Sequence, residues 1–378
     1  MTASTAPILL VDTPEKNADL HYASGFWAPD ALVYLHTAQG AHLMVSVLEQ
    51  GRAQQFAESE RWRRLKIWTP DMLKLKGKHR RSPGEWAAAL LRATNIRRVQ
   101  VPGSFPLGAA RRLAARGINL TLAPGALFPR RACKRPDEIG KIRASQTAAV
   151  AAMRAARACL RGAAVSAAGW LKLGRRRLEA EDVKHVIHTA LLAHGTMCRD
   201  VIVAPGGQGA DPHERGHGPL RAGEMIVLDI FPQHLTHGYW GDLTRTVIRG
   251  KPTPEQMRLY LAVKASQAAA LRAIKPGAQL AAVHRAAAGL LERRGYKTEV
   301  VEGRPQGFIH STGHGVGLDI HESPSLAPVE GTLRLGNVVT VEPGLYYPKL
   351  GGVRIEDTVL VVRGGWRLLA PCPHGFEL

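Results

Sequence analysis

The chain has 378 residues, 45% of them hydrophobic and 22% charged, and a formal net charge of +20. That length exceeds a typical single core and predicts two domains in an ordinary soluble globular protein. No apolar run reaches the roughly 18–20 residues needed to span a bilayer, and MTASTAPILLVDTPEKNADL lacks a basic region ahead of its apolar stretch, so neither a membrane protein nor a secretory leader is expected.

In chain order, ILLVD, ALVYLHT and AHLMVSVL read as strands punctuated by Gly and Pro. SPGEWAAALLRAT (82–94) reads as a helix with Ser82 at the N-cap and Pro83 at the first helical position. PLGAARRLAARG (106–117) reads as another, ending at Gly117. RRVQVPG and INLTLAPG follow these helices as strand candidates, so residues 1–132 suggest a small α/β domain. The character changes at KRPDEIGKIRASQTAAVAAMRAARACLRGA, where Pro136 and Asp137 open a long helix with Ile139, Ile142, Ala149, Ala152 and Met153 near helical spacing. A second domain is therefore expected over 133–378. It carries an internal echo: a long helix (137–161, then 254–274) is followed by a shorter amphipathic one, EAEDVKHVIHTALLAHG and LAAVHRAAAGLLERRG, each ending at a glycine, Gly195 and Gly295. Two such copies suggest a pseudo-symmetric α+β domain with a site between its halves.

Cys133, Cys159, Cys198 and Cys372 form no CxxC pair, which predicts reduced thiols in a cytoplasmic protein and argues against a zinc site or disulfide frame. Basic clusters occur at Arg61–Lys66, Lys74–Arg81 and Arg175–Arg177. They would attract polyanions, but no nucleic-acid motif or aromatic-interleaved basic stripe accompanies them, so a solvated basic face is expected and nucleic acid is not expected as a partner.

The chemistry concentrates in four patches: LDIFPQHLTHGYWGDLTRT, HSTGHGVGLDIHE, TVEPGLYY and GVRIED. Asp229 follows the apolar run MIVL, and Asp242 precedes LTRTVI, so the two predict adjacent antiparallel strands of one hairpin. A buried carboxylate is costly unless paired or metal-bound, and two close together repel. His310, His314 and His321 fall within twelve residues of a Gly-rich loop that also holds Asp319 and Glu322. Glu342 ends NVVTV and Glu356 follows VRI, which places both carboxylates on or beside buried strands, with Arg354 as an available cationic partner. Taken one at a time, these groups also fit salt bridges. Together, four carboxylates and an imidazole can hold two divalent cations and a bridging water, and such ligands suit Mn²⁺, Co²⁺ or Zn²⁺ better than a thiolate-selected metal.

The segment from about 134 to 370 resembles the pita-bread metallopeptidases, the family of aminopeptidase P, prolidase and methionine aminopeptidase: GYWGDLTRT, GHGVGLDIHE, TVEPGLYY and GVRIEDTVLV match its blocks in order. NADLHYASGFWAPDALVYL is similar to the family's creatinase-like N-terminal domain, which favours the aminopeptidase P and prolidase branch. The resemblance implies an α+β pita-bread catalytic domain with pseudo-twofold symmetry behind a small α/β domain. It implies two divalent ions, Mn²⁺ by preference, held by Asp229, Asp242, His314, Glu342 and Glu356, with Asp242 and Glu356 bridging. Glu342 would move the proton of the bridging water. His213 in GADPHERGHG would be the upstream active-site histidine, with His217 a nearby alternative. His310 and His321 would contact substrate and stabilise the tetrahedral intermediate, with Arg354 and Thr244 supporting the ligands. The implied reaction is hydrolysis of an Xaa-Pro bond in short proline-containing peptides, by a cytoplasmic homodimer. One departure from the family pattern is a loop about two residues longer between Asp229 and Asp242, where IFPQHL replaces the customary Asp-x-Gly start. A peptidase without proline specificity, a metal-free creatine hydrolase and a non-catalytic binding module are the alternatives, and the full ligand set disfavours the last two.

Overall fold

The computed structural model describes residues 6–59, 62 and 64–378. Arg61 and Arg63 of the first basic cluster, and the first five residues of the N-terminal stretch, lie outside the described residues. Contacts divide the chain into Met1–Pro129 and Arg130–Leu378. No helix among the described residues is long and apolar enough to cross a membrane.

The first unit is a six-stranded mixed sheet built from β1 (Ile8–Asp12), β2 (Leu32–Thr37), β3 (Gly40–Met44), β4 (Leu65–Trp68), β5 (Arg98–Val101) and β6 (Asn119–Leu122), in the order β4-β3-β2-β1-β5-β6. Its α-helices among the described residues are α1 (Ala18–Ser24), α2 (Gln50–Ala57), α3 (Pro83–Ala93) and α4 (Leu107–Ala114). Strand alternation divides its apolar residues between two cores. Leu9 and Val11 of β1 pack with Trp86, Leu90 and Leu113, whereas Leu10 packs with Leu20, Tyr34 and Ala53 on the other face. The apolar run AHLMVSVL is a strand only to Met44, and its last residues turn into a short 3₁₀ helix, Val47–Glu49. Ser82 occupies the N-cap of α3, but its side chain makes no cap hydrogen bond.

The second unit holds two helix pairs, α5 (Pro136–Gly162) with α6 (Ala180–Ala193) and α7 (Pro254–Ala273) with α8 (Leu280–Arg293). The paired helices carry the echo read from the sequence. Left-handed Gly195 (φ 66°) and Gly295 (φ 84°) lie two residues beyond the ends of α6 and α8. Each pair accompanies a three-stranded antiparallel sheet: Ile202–Pro205, Met225–Ile230 and Leu243–Ile248 in one half, Val338–Val341, Asp357–Val362 and Gly365–Leu368 in the other. A hairpin of Gly344–Tyr347 and Gly351–Arg354 completes the second half. The central strand Met225–Ile230 is buried throughout, as is Leu243–Ile248, so polar groups on either strand need a partner inside the fold.

Candidate metal centre

Asp229 and Asp242 stand on one antiparallel pair. Asp229 lies opposite Thr244, and Asp242 precedes the first residue of the partner strand. The Gln146 side chain of α5 fixes the Asp242 backbone from both sides: its amide donates to the Asp242 carbonyl at 2.8 Å, and its carbonyl accepts the Asp242 N–H at 2.8 Å. Glu356 reaches the same place because its N–H bonds the Thr244 carbonyl (3.1 Å), while the Thr244 hydroxyl donates to Glu356 Oε2 (2.8 Å). His314 and Glu342 arrive together through Thr340, whose hydroxyl accepts the His314 N–H and donates to Glu342 Oε1, both at 3.0 Å. Gly313 permits that close approach, since a Cβ there would fall 2.1 Å from the Thr340 carbonyl oxygen.

Ligand atoms of Asp242, His314 and Glu356 lie within 4.8 Å of one another. His314 Nε2 is 3.1 Å from Glu342 Oε1 and 3.7 Å from Asp242 Oδ2. Its Nδ1 faces the Gly315 carbonyl at 3.2 Å, the arrangement in which Nδ1–H is held by backbone and Nε2 is turned to a cation. Asp229 Oδ2 accepts from Arg354 Nη2 at 2.6 Å. Among the described residues, Asp229 Oδ1 and Glu356 Oε1 are buried oxygens with no hydrogen-bond partner. Four carboxylates thus face one arginine and one imidazole. Burial, then neighbouring Asp229 and Glu342, pushes Asp242 well above the ordinary carboxylate range; burial, then Asp242 and Glu342, does the same to Glu356. Burial alone would lower His314, but the Glu342 hydrogen bond and the nearby carboxylates outweigh it and push the imidazole up to about 9. Burial likewise opposes ionisation of Glu342, and the His314 hydrogen bond with the charges of His314, His310 and Arg354 brings it down to about 2. Buried oxygens without partners in an excess of negative charge fit divalent cations, whose hard-oxygen and imidazole preferences this set meets.

These groups line a cavity of about 750 Å³. His213 and His321 line it too, whereas His217 lies in the exposed loop against Glu214 (3.7 Å) and is absent from the lining. Ile202, Pro212, Phe231, Ile309 and Ile320 make an apolar wall. Burial, then His314, holds the His321 imidazole below its ordinary value, and the two rings meet edge to face at 4.3 Å. Asp319 and Glu322 of the same loop do not join the site. Arg131 Nη2 pairs with both at 2.7 Å, and Lys134 Nζ lies 2.8 Å from Glu322.

His310 lines the cavity, and each of its ring nitrogens has a partner inside the protein. The Tyr346 hydroxyl accepts from Arg354 Nη1 at 2.8 Å, so its own proton points to His310 Nε2 at 2.9 Å. Nδ1 then carries the ring proton and donates to the Ser311 carbonyl at 2.7 Å. Burial pushes the Tyr346 phenol up to about 12, which keeps that proton in place, and burial also lowers His310. Both ring nitrogens are committed within the protein. The sequence singles out Glu342 in TVEPGLYY and gives no such prominence to Tyr346, four residues further on and two beyond Gly344. The available signal was Gly344, where a Cβ would lie 2.4 Å from the Tyr346 hydroxyl.

The sequence model of metallopeptidase family M24 matches residues 140–363. The Xaa-Pro dipeptidase of Pyrococcus furiosus is 40% identical over 172 residues, which is 45% of this chain and 47% of that protein. The chain therefore spans about half the length of the curated relatives it matches. Among solved structures, the prolidase from Pyrococcus horikoshii OT3 superposes with a TM-score of 0.79 at 26% identity, covering 99% of this chain and 96% of that one. The X-Pro aminopeptidase from Thermotoga maritima MSB8 shares the fold with a TM-score of 0.80 at 22% identity, covering 99% and 98%.

Proposed function

The chain belongs to metallopeptidase family M24, and on that premise we propose that it hydrolyses the Xaa-Pro bond at the N-terminus of short peptides, with two divalent ions held by Asp229, Asp242, His314, Glu342 and Glu356. The observation that carries this reading is the set of buried, mutually repelling carboxylates with partnerless oxygens beside His314. Mn²⁺ is the proposed metal, supported by the oxygen-rich donors. Bound cations would supply the positive charge that makes water acidic enough to attack near neutral pH and polarises the scissile carbonyl.

The chain's own residues divide the remaining work. Glu342, held ionised, accepts the proton of the attacking water and returns it to the proline nitrogen that leaves. His321 and His213 donate N–H to the carbonyl oxygen as negative charge develops there, a contribution worth about 10²–10³ in rate for one such donor. His310, with both nitrogens engaged, is a positioning residue together with Arg354, which restrains Asp229. An imide nitrogen before proline has no hydrogen to donate, and the wall of Ile202, Phe231, Ile309 and Ile320 offers the pyrrolidine ring apolar contact without a polar group left unpaired.

Release of leucine from Leu-Pro and from Leu-Pro-Gly by Mn²⁺-loaded protein tests the reading; no cleavage of either by protein with metal bound would overturn it. A cytoplasmic homodimer belongs to the same proposal. Four free cysteines support a reducing compartment, and light scattering of the purified protein checks the dimer.

A further inference from the structure

The cavity wall carries one charged pair that the mechanism above does not use. Asp200 and Arg215 both line the cavity, and Arg215 Nη2 lies 2.7 Å from Asp200 Oδ1. Among the lining residues, Arg354 is the other arginine, and it is engaged by Asp229 and Tyr346. Arg215 is held where it stands by its backbone, because its carbonyl accepts the Val203 N–H at 2.9 Å. Its side chain is 65% exposed and Asp200's is 34% exposed, so the guanidinium is accessible from the cavity mouth and Asp200 orients it. The pair is also tied to the strand that flanks Asp229. Ile202 lies opposite Asp229 in the strand register, and Asp200 stands two residues before Ile202 in the chain.

We infer that Arg215 is a specificity-determining residue that reads a carboxylate of the bound peptide. The inference rests on the peptidase reading above. A guanidinium presents five donors in a fixed fork, and a carboxylate can take two of them side by side. Asp200 uses one terminal nitrogen, and the fork retains donors for a second anion. Two parts of a short substrate have this chemistry: the terminal carboxylate of an Xaa-Pro dipeptide, and the side chain of an acidic first residue. The first source would make the protein favour dipeptides over longer peptides; the second would make it favour Asp-Pro and Glu-Pro sequences.

Four peptides separate these sources: Leu-Pro, Leu-Pro-amide, Glu-Pro-amide and Gln-Pro-amide, assayed with the Mn²⁺-loaded wild type and with Arg215→Gln. The expected result is that wild type prefers the carboxylate member of one pair, and that Arg215→Gln lowers that preference about tenfold, mainly through KM, as for a lost hydrogen bond to a charged group. Collapse of the Leu-Pro over Leu-Pro-amide ratio identifies the terminal carboxylate. Collapse of the Glu-Pro-amide over Gln-Pro-amide ratio identifies the side chain. Arg215→Lys, which keeps the charge without the fork, should restore part of the preference. If both ratios are the same in wild type and Arg215→Gln, the assignment is overturned while the peptidase reading stands. Should none of the four be cleaved, the peptidase reading fails. Dissociation constants of the same peptides then test Arg215 separately, and equal constants for wild type and variant overturn it.

Discussion

Asp242→Asn should stabilise the metal-free protein while abolishing its response to metal, two effects of opposite sign from one substitution. Ligand atoms of Asp242 and Glu356 lie within 4.8 Å, and both carboxylates are nearly inaccessible to water. Two unit charges at that separation repel by about 3 kcal/mol at an effective dielectric of about 20. Protonation of one group relieves part of this, which leaves a gain of about 1–3 kcal/mol when Asn removes the charge. The amide can still face Glu356, and the Asp242 backbone keeps its Gln146 and Thr358 bonds. For a protein of this size the gain corresponds to a rise in apo Tm of roughly 1–4 °C. Wild type, by contrast, should gain about 2.7 kcal/mol per site when free Mn²⁺ reaches a hundred times its Kd, and the variant should lose most of that. Scanning calorimetry of both proteins, with chelator and with Mn²⁺, reads the two effects in one experiment. An apo variant less stable than apo wild type would refute the charge-repulsion argument. An undiminished Mn²⁺ shift would remove Asp242 from the ligand set.

Tyr346→Phe keeps the ring but removes the hydroxyl between Arg354 and His310, and should lower kcat for Leu-Pro about tenfold at nearly unchanged KM, the loss of roughly one buried hydrogen bond to a charged group; steady-state kinetics at saturating Mn²⁺ checks it. Glu322 titrates below its ordinary value of 4.5: burial opposes ionisation, and Lys134 and Arg131 outweigh it. Its contribution to stability is therefore fully present above 4.5 and disappears as pH falls through the lower folded value. Glu322→Gln should remove that acid-side dependence and cost about 3–5 kcal/mol at neutral pH, because buried Lys134 loses its carboxylate; Tm measured from pH 2.5 to 7 tests both points. Gly313→Ala should destabilise by at least about 1–3 kcal/mol, since the added methyl overlaps the Thr340 carbonyl and must displace His314 or its partner strand; denaturant unfolding together with metal content measures it.

The proposed ligands were legible because the four carboxylates each stand at the edge of an apolar run, and His314 stands between two glycines. Asp229 after MIVL and Glu342 before Pro343-Gly344 are polar groups that a buried strand cannot leave unpartnered. The paired helices of the second unit were legible for the same local reason, as repeated amphipathic periodicity closed by glycine. What escaped was set by contacts distant in sequence. Glu322 sits among the histidines in HSTGHGVGLDIHE, yet it turns to Arg131 and Lys134, about 190 residues earlier in the chain. The bond between Tyr346 and His310 depends on Arg354 aiming the phenol, which the histidine's own segment does not announce. Arg245 read as part of a strand in LTRTVI. It is a fully buried guanidinium that bonds Asp357 and the carbonyls of Cys372 and Pro373, none of which its own segment announces.

Calorimetric titration of the chelator-treated protein with Mn²⁺, run beside Glu356→Gln, tests the central claim most directly. The expected result is two ions per chain for wild type and a loss of at least one in the variant, because a buried oxygen without a protein partner has been replaced by a neutral amide. Fewer than two ions in wild type, or the same stoichiometry and affinity in Glu356→Gln, would contradict a dinuclear centre at these five residues.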